Sequence, residues 1–320
     1  MMQFLTHSDE ARGHKISAIL MVVAIALALI MANSPANGLY HLLHHTPVGF
    51  HIGEISYDRP FYLWVNEGLL ALFFLKVAAE TKVELLHGLL SERQARLLPA
   101  IGAVGGMVAP ALIFLIATYD AASMRTGWAI PISTDIVLAM GILALMGRAA
   151  PAGAKALLAG VAAGFLIPSG NDGARASPLA RLDHDITPFV LFFVVPLFAF
   201  FNAGLVLNAN GLSAEHIPLA AGIVFGLIVG KQLGVFGAIW IAVKFRLARL
   251  PDGLDWRGVY LSAVIAGAGF TMSLFFAALA FETGPMLDMA RLAILVASAI
   301  ATLAAVIVGR SRRVRSTQRS

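Results

Sequence analysis

Nine apolar stretches alternate with polar ones along the chain, at residues 16–32, 61–86, 98–117, 128–146, 156–168, 189–207, 217–243, 259–281 and 292–308. A helix rises about 1.5 Å per residue, so roughly 20 residues cross a hydrocarbon layer about 30 Å thick. Most of the stretches meet that length, and the one at 156–168 falls short of it. Lipid offers no partner to backbone N–H and C=O groups, so each spanning stretch is predicted to be helical. Residues 35–60 break the pattern. They are polar and glycine-containing, and Phe50-His51-Ile52-Gly53-Glu54-Ile55 alternates apolar and polar positions, which predicts a loop with a short β-hairpin at 44–58. The predicted fold class is therefore an all-α polytopic membrane protein of eight or nine transmembrane helices with a short β-hairpin. It forms a single integral membrane domain over 1–320, with N-terminal helices in 16–146, C-terminal helices in 156–308 and a basic tail at 309–320.

Composition sharpens this picture. Of 320 residues, 59% are hydrophobic and 13% are charged, about half the charge of a soluble domain. A soluble enzyme, a disordered tail and a nucleic-acid binder are all excluded on that ground. The net charge of +5 comes from 23 Lys/Arg against 18 Asp/Glu, with the basic groups mainly in the polar loops, as in cytoplasmic loops of membrane proteins. With no cysteine, disulfides and thiolate metal sites are excluded, and no cofactor is expected. The basic flank at Arg12 and Lys15 before the first apolar stretch resembles a signal peptide. The apolar segments that follow favour an uncleaved first helix.

Two of the predicted helices carry breakers in mid-span. In the fourth, Pro131 precedes Ser133-Thr134-Asp135; in the eighth, Gly267-Ala268-Gly269 interrupts the apolar run. Glycine and proline are common in membrane helices, but two broken helices, one bearing a charge at the break, point to a transporter. Ionisable groups inside spans cost several kcal/mol and need a reason. Lys231 has apolar helix on both sides, which calls for function or obligatory pairing. Asp135 either polarises a cation site or caps the second half-helix. Lys76 and Glu80 are spaced i, i+4 on one helix face, with Glu80 near a helix end that solvent reaches equally well. Glu67 and Asn66 fall where an interfacial location is the default. Asp183-His184-Asp185 sits in a loop, where the imidazole is either a pH sensor or simply solvated. No cluster with metal-ligand spacing and no nucleophile motif supports a membrane enzyme.

The strings that carry these features resemble the NhaA-type sodium/proton antiporter family, which is built from inverted repeats with broken helices. They are Pro47-Val48-Gly49-Phe50-His51-Ile52-Gly53, Gly105-Gly106-Met107, Trp128-Ala129-Ile130-Pro131, Ser133-Thr134-Asp135-Ile136, Pro196-Leu197-Phe198-Ala199-Phe200, Asn202-Ala203-Gly204, Gly230-Lys231 and Gly269-Phe270-Thr271-Met272-Ser273. They run in family order over nearly the whole chain. The resemblance implies exchange of Na⁺ for H⁺ across a bacterial inner membrane, in the service of pH and sodium homeostasis. It places Asp135 and Thr134 at the crossing of the two broken helices, with Pro131, Gly267 and Gly269 at the breaks. Lys231 stands for the buried lysine that pairs with the ion-binding carboxylates. Glu80, Asp183 and His184 are implied in pH response, and the hairpin at 44–58 in a homodimer contact.

The chain departs from the family in one large respect. The helix carrying the family's Asp-Asp ion site has no counterpart after Ala150-Pro151, and Lys155-Ala156-Leu157-Leu158 resembles a segment normally three spans later. Roughly 70 residues are absent by that comparison, about three helices with their loops. Smaller departures are Val83 for an arginine, Lys76 for an apolar residue, Gln232 for a proline and Lys155 for a histidine. Asp135 and Lys231 then carry charges that cancel, so the expectation is an antiporter whose activity is impaired. The alternative is a non-transporting membrane remnant or dimerising scaffold. The charges of the loops bear on orientation as well. If all nine stretches span, most loop Lys/Arg, including Arg310, Arg312, Arg313, Arg315 and Arg319, fall outside, against the positive-inside rule. If 156–168 is re-entrant or interfacial, eight spans remain, nearly all of these groups fall inside, and both termini are cytoplasmic.

Overall fold

The computed structural model describes residues 2–53, 55–87, 93–133, 178–206, 213–250, 255–281 and 284–316. The chain forms two compact units, one of residues 1–88 and 140–207, the other of 89–139 and 208–320. It is an all-α polytopic protein with one small hairpin. Among the described residues five helices are long and apolar enough to cross a membrane, or up to seven when two bent pairs each count as one span. The predicted segment at 156–168 and most of the one at 128–146 lie outside the described residues.

In the first unit, α1 (Met2–Ala32) turns sharply into α2 (Asn37–His45), the two axes differing by 109°. The region from Pro35 was expected to be loop. It holds a helical turn pair instead, because Tyr40 and His44 fall one turn apart on a buried face while Leu39 and Leu42 stay exposed. The hairpin follows as expected: β1 (Pro47–Ile52) runs antiparallel to β2 (Ile55–Pro60), with Phe50 opposite Tyr57 and Ile52 opposite Ile55. Gly53 at its tip has φ +62, a conformation that a side chain disfavours. Next comes α3 (Phe61–His87). After the undescribed stretch, α5 (Pro178–Phe189) passes through a widened π turn at Val190–Val194 into α6 (Val195–Ala203). Polar bonds tie these helices in register: Ser17 Oγ donates to Leu191 O at 2.6 Å, Asn33 Nδ2 to Leu205 O at 2.7 Å and Tyr40 OH to Phe200 O at 2.9 Å.

Asn66, in the second turn of α3, is buried within the protein. Its Nδ2 donates to Asn202 Oδ1 at 3.1 Å, and Asn202 Nδ2 donates back at 2.7 Å and also to Phe198 O at 2.9 Å. Burying two amides in an apolar helix pair is costly unless each satisfies the other, and this reciprocal pair does so.

The second unit contains α4 (Arg93–Ala117), a 3₁₀ helix at Ala122–Ile132, α7 (Ile217–Phe225), α8 (Gly237–Lys244), α9 (Trp256–Ile265), α10 (Phe270–Ala280) and α11 (Pro285–Ser316). Two π turns join α7 to α8 as one long span over Ala214–Lys244. Small residues bring α4 close to that span: a Cβ on Gly230 would sit 2.7 Å from Pro110 Cα, and one on Gly106 2.7 Å from a Val235 methyl. This is the small-residue packing that membrane helices use in place of a hydrophobic drive. The basic tail expected from 309 onward continues α11 as far as Ser316, because arginine is a good helix former. Ile116, Leu233, Leu303 and Ile307 are exposed on the spans, as suits faces turned to lipid.

Candidate functional site

The site is built where the 3₁₀ helix runs out. Pro131 lacks an N–H and fixes φ, so it limits how far regular winding continues, and the helix ends at Ile132 with Ser133 as its cap. The last carbonyls of any helix have no partner within it. Here two side chains from other helices take them. Lys231 Nζ donates to Ile132 O at 2.7 Å, and Ser273 Oγ donates to Ile130 O at 3.1 Å. The ammonium is 1% exposed. It lies at the negative end of a helix, where a cation is favoured.

The second break meets the first. Between α9 and α10 the chain opens at Ala266–Gly269, and the two halves are bent by 42°. Ser133 Oγ donates to Gly269 O at 3.4 Å and pairs with the Ser273 hydroxyl. The two glycines of the break are closely packed: a Cβ on Gly267 would lie 2.7 Å from Leu227 O, and one on Gly269 2.6 Å from Ser133 Oγ. Leu227 is one turn before Lys231 on the same helix. Pro131 packs on that helix too, 2.7 Å from the position of a Cβ on Gly226. Thus Pro131, Gly267, Gly269 and Lys231, singled out separately in the sequence, meet within one unit.

Lys231 itself stands between π turns at Gly226–Gly230 and Gln232–Phe236. Such widened turns recur at functional sites because they leave backbone groups less tightly committed. Sequence reasoning missed them, although Gly226, Gly230 and Gly234 recur every fourth residue and mark a helix face pressed against backbone. Ser133 and Ser273 do not stand out in the sequence on their own. A pair of hydroxyls flanking two helix breakers is the signal that was available. Gln232, next to the lysine, accepts from Tyr260 OH on α9 at 2.8 Å.

The other predicted residues are placed as follows. Thr134 and Asp135 lie outside the described residues. Glu80 is within α3 and Asp183 within α5, while their side chains are outside the description. His184, expected in a loop, is helical and exposed, and pairs with Asp185 at 3.4 Å. Lys76 is buried on α3. Among the described residues no group of three or more His, Asp or Glu is arranged to hold a metal ion.

Comparison with known proteins is consistent in its direction. The family model described as "Na+/H+ antiporter 1" matches residues 9–159 and 151–308. A protein of Aeromonas salmonicida named Na(+)/H(+) antiporter NhaA is 37% identical over 365 aligned residues, covering 91% of this chain and 91% of that protein. One of the same name from Shewanella frigidimarina is 38% identical over 371 residues, covering 92% and 93%. Another, from Proteus mirabilis, is 36% identical over 345 residues, covering 85% and 87%. Each alignment is longer than the 320-residue chain, so each holds positions this chain lacks. The two family matches meet at 151–159.

Proposed function

The chain belongs to the Na+/H+ antiporter 1 family, and from that membership we propose that it is a sodium/proton antiporter of the bacterial inner membrane whose exchange is impaired. The ions it would exchange are Na⁺ and H⁺. Asp135 and Thr134 follow directly on the helix end that Lys231 caps, and we assign them to the ion site. Glu80, Asp183 and His184 are assigned to pH response, and Pro131, Gly267 and Gly269 to the helix breaks.

What supports the impairment is that the alignments to these relatives are longer than this chain and that the two family matches join at 151–159; by the resemblance, the family's paired aspartates belong to the stretch left out there. Antiport needs one site that holds either the cation or the proton. A buried carboxylate does this when burial and neighbours bring its affinity for protons near neutrality. One aspartate balanced by one lysine has no surplus negative charge with which to strip water from Na⁺.

Everted vesicles from a host lacking its own antiporters test this. Addition of Na⁺ is expected to collapse the proton gradient weakly or not at all. Robust exchange that Asp135→Asn abolishes would overturn the impairment and keep the antiporter assignment. A second reading, a non-transporting scaffold that forms a homodimer through residues 44–58, draws support from the hairpin, which pairs over its full length. It expects normal oligomers with no ion flux, and deletion of 48–59 should yield monomers.

A further inference from the structure

Contacts pair Gly102 of α4 with Ile239, Gly106 with Val235 and Pro110 with Gly230. Partner numbers fall as those of α4 rise, so α4 and α8 are antiparallel, and the start of α4 lies beside the end of α8. Along one side of their contact runs an open groove of about 450 Å³, lined by Ala100, Ile101, Val104, Gly105, Val108 and Ala238. All of these residues are apolar. The α4 members recur at three and four residues and share one helix face, and Ala100 to Val108 covers about 12 Å of helix axis. Val104 and Val108 are exposed.

The groove leads to a basic helix end. Ala238, Ile241 and Lys244 follow one another at intervals of three along α8 and step along one side of it. Ile241 and Lys244 are exposed, and Lys244 Nζ stands 4.5 Å from the centroid of the exposed Trp240 ring. Tryptophan and lysine are side chains that membrane proteins place at headgroup level. Beyond them Lys244-Phe245-Arg246-Leu247 alternates basic and apolar residues, all exposed, and Arg249 is exposed too. The turn here is unusual. Leu247 N donates to Ala242 O at 2.9 Å and Arg246 N to Val243 O at 3.0 Å, the double closure in which glycine usually takes the left-handed position. Arg246 takes it instead, with φ 58, a conformation that is costly for a side chain. The backbone would favour glycine, and the chain carries a guanidinium. Asp255, the described carboxylate nearest in sequence, caps α9 by accepting from Gly258 N at 2.8 Å.

We propose that this part of the second unit binds an anionic diacyl phospholipid, with an acyl chain in the groove between α4 and α8 and the phosphate held by Lys244, Arg246 and Arg249. Basic pockets between membrane helices are a recurring means of holding such headgroups. A zwitterionic lipid fills the groove equally well, but its ammonium opposes the cluster of cations, so charge selects the anionic class. The site uses no residue of the hairpin and does not depend on ion exchange.

The test uses the full-length protein in detergent micelles with equal amounts of phosphatidylglycerol and phosphatidylethanolamine of identical chains, and counts retained lipid by native mass spectrometry. The wild type is expected to retain phosphatidylglycerol in preference by about tenfold or more, since each basic residue near an anionic surface contributes about fivefold. The triple variant Lys244→Gln, Arg246→Gln, Arg249→Gln should lose the preference. Ala100→Phe fills the groove without changing charge and should lower retention, whereas Arg312→Gln with Arg313→Gln should behave as the wild type. Glycerol 3-phosphate, which has the headgroup charge and no chains, should not displace the lipid. Arg246→Gly gives a second readout: it should raise the unfolding midpoint without lipid and reduce the further rise that phosphatidylglycerol brings. No preference in the wild type, an unchanged preference in the triple variant, full retention in Ala100→Phe, equal loss in the α11 variant, displacement by glycerol 3-phosphate, or an undiminished lipid effect in Arg246→Gly would overturn the proposal.

Discussion

Lys231 and Ile132 are joined by a hydrogen bond of 2.7 Å between residues 99 apart in the chain. The donor is a fully buried ammonium, and the acceptor is the final carbonyl of a helix that ends inside the protein. Each group would be costly alone. A buried charge needs pairing, and a helix end in apolar surroundings needs its carbonyls satisfied. Placing one against the other satisfies the carbonyl and gives the ammonium an acceptor at the negative end of a helix. The acceptor stands two residues before Thr134 in the sequence.

Replacing the ammonium should therefore cost stability as well as transport. Lys231→Met keeps the length of the side chain and removes the donor, and a hydrogen bond to a charged group contributes about 1.5–3 kcal/mol. A loss of that order is expected in thermal unfolding of the detergent-solubilised protein. Lys231→Gln, whose amide still donates, should lose less. Equal midpoints for the wild type and the Met variant would show that the bond adds nothing to the fold.

The glycines of the long span separate contact from propensity. Gly230 presses on the Pro110 backbone, whereas nothing lies within 4 Å of a Cβ on Gly237. Gly230→Ala must push two helices apart and should destabilise by about 1–3 kcal/mol, the range for overpacking. Gly237 has helical dihedrals, so Gly237→Ala should be neutral or stabilising by up to about 1 kcal/mol. The pair of unfolding midpoints, moving in opposite directions, checks the packing of α4 on this span.

The spans were legible because their signal is local: twenty apolar residues in lipid have one way to satisfy their backbone. The hairpin was legible for a similar reason, with period-two alternation and a glycine at the turn. α2 was missed because its apolar face shows as two buried rings, Tyr40 and His44, among histidines that read as polar loop. Pro131, Gly267, Gly269 and Lys231 could each be singled out as anomalies. Their meeting could not be read, since it depends on packing between segments far apart in sequence. Asn66 shows the same limit, as its partner Asn202 lies 136 residues away. The π turns beside Lys231 escaped because no residue type requires them.

The reciprocal amides of Asn66 and Asn202 invite a double-mutant cycle. Hydrogen bonds between membrane helices contribute about 0.6 kcal/mol on average and up to about 1.7. Two contacts joining the same side chains should place this coupling toward the upper end. Asn66→Leu alone leaves an Asn202 amide without its side-chain acceptor and should be more harmful than the double Leu variant predicts by addition. Additive midpoints would mean that the two amides do not depend on each other.

Orientation can be tested with little background, because the chain has no cysteine and a single introduced thiol is the sole target. The C-terminal segment carries Arg310, Arg312, Arg313, Arg315 and Arg319, and α11 runs on through the first four of these to Ser316. Positive charge next to a span is retained on the cytoplasmic side, so the end of α11 is expected inside. Were 156–168 a full span, parity would carry that same cluster outside. Ser320→Cys should therefore resist a membrane-impermeant maleimide in intact spheroplasts and react once the membrane is opened. A thiol introduced at Gly38, next to the turn between α1 and α2, should show the reverse, since one span separates it from the N-terminus. Labelling of Ser320→Cys from outside would require a ninth crossing and overturn the eight-span arrangement, whatever the vesicle assay shows about exchange.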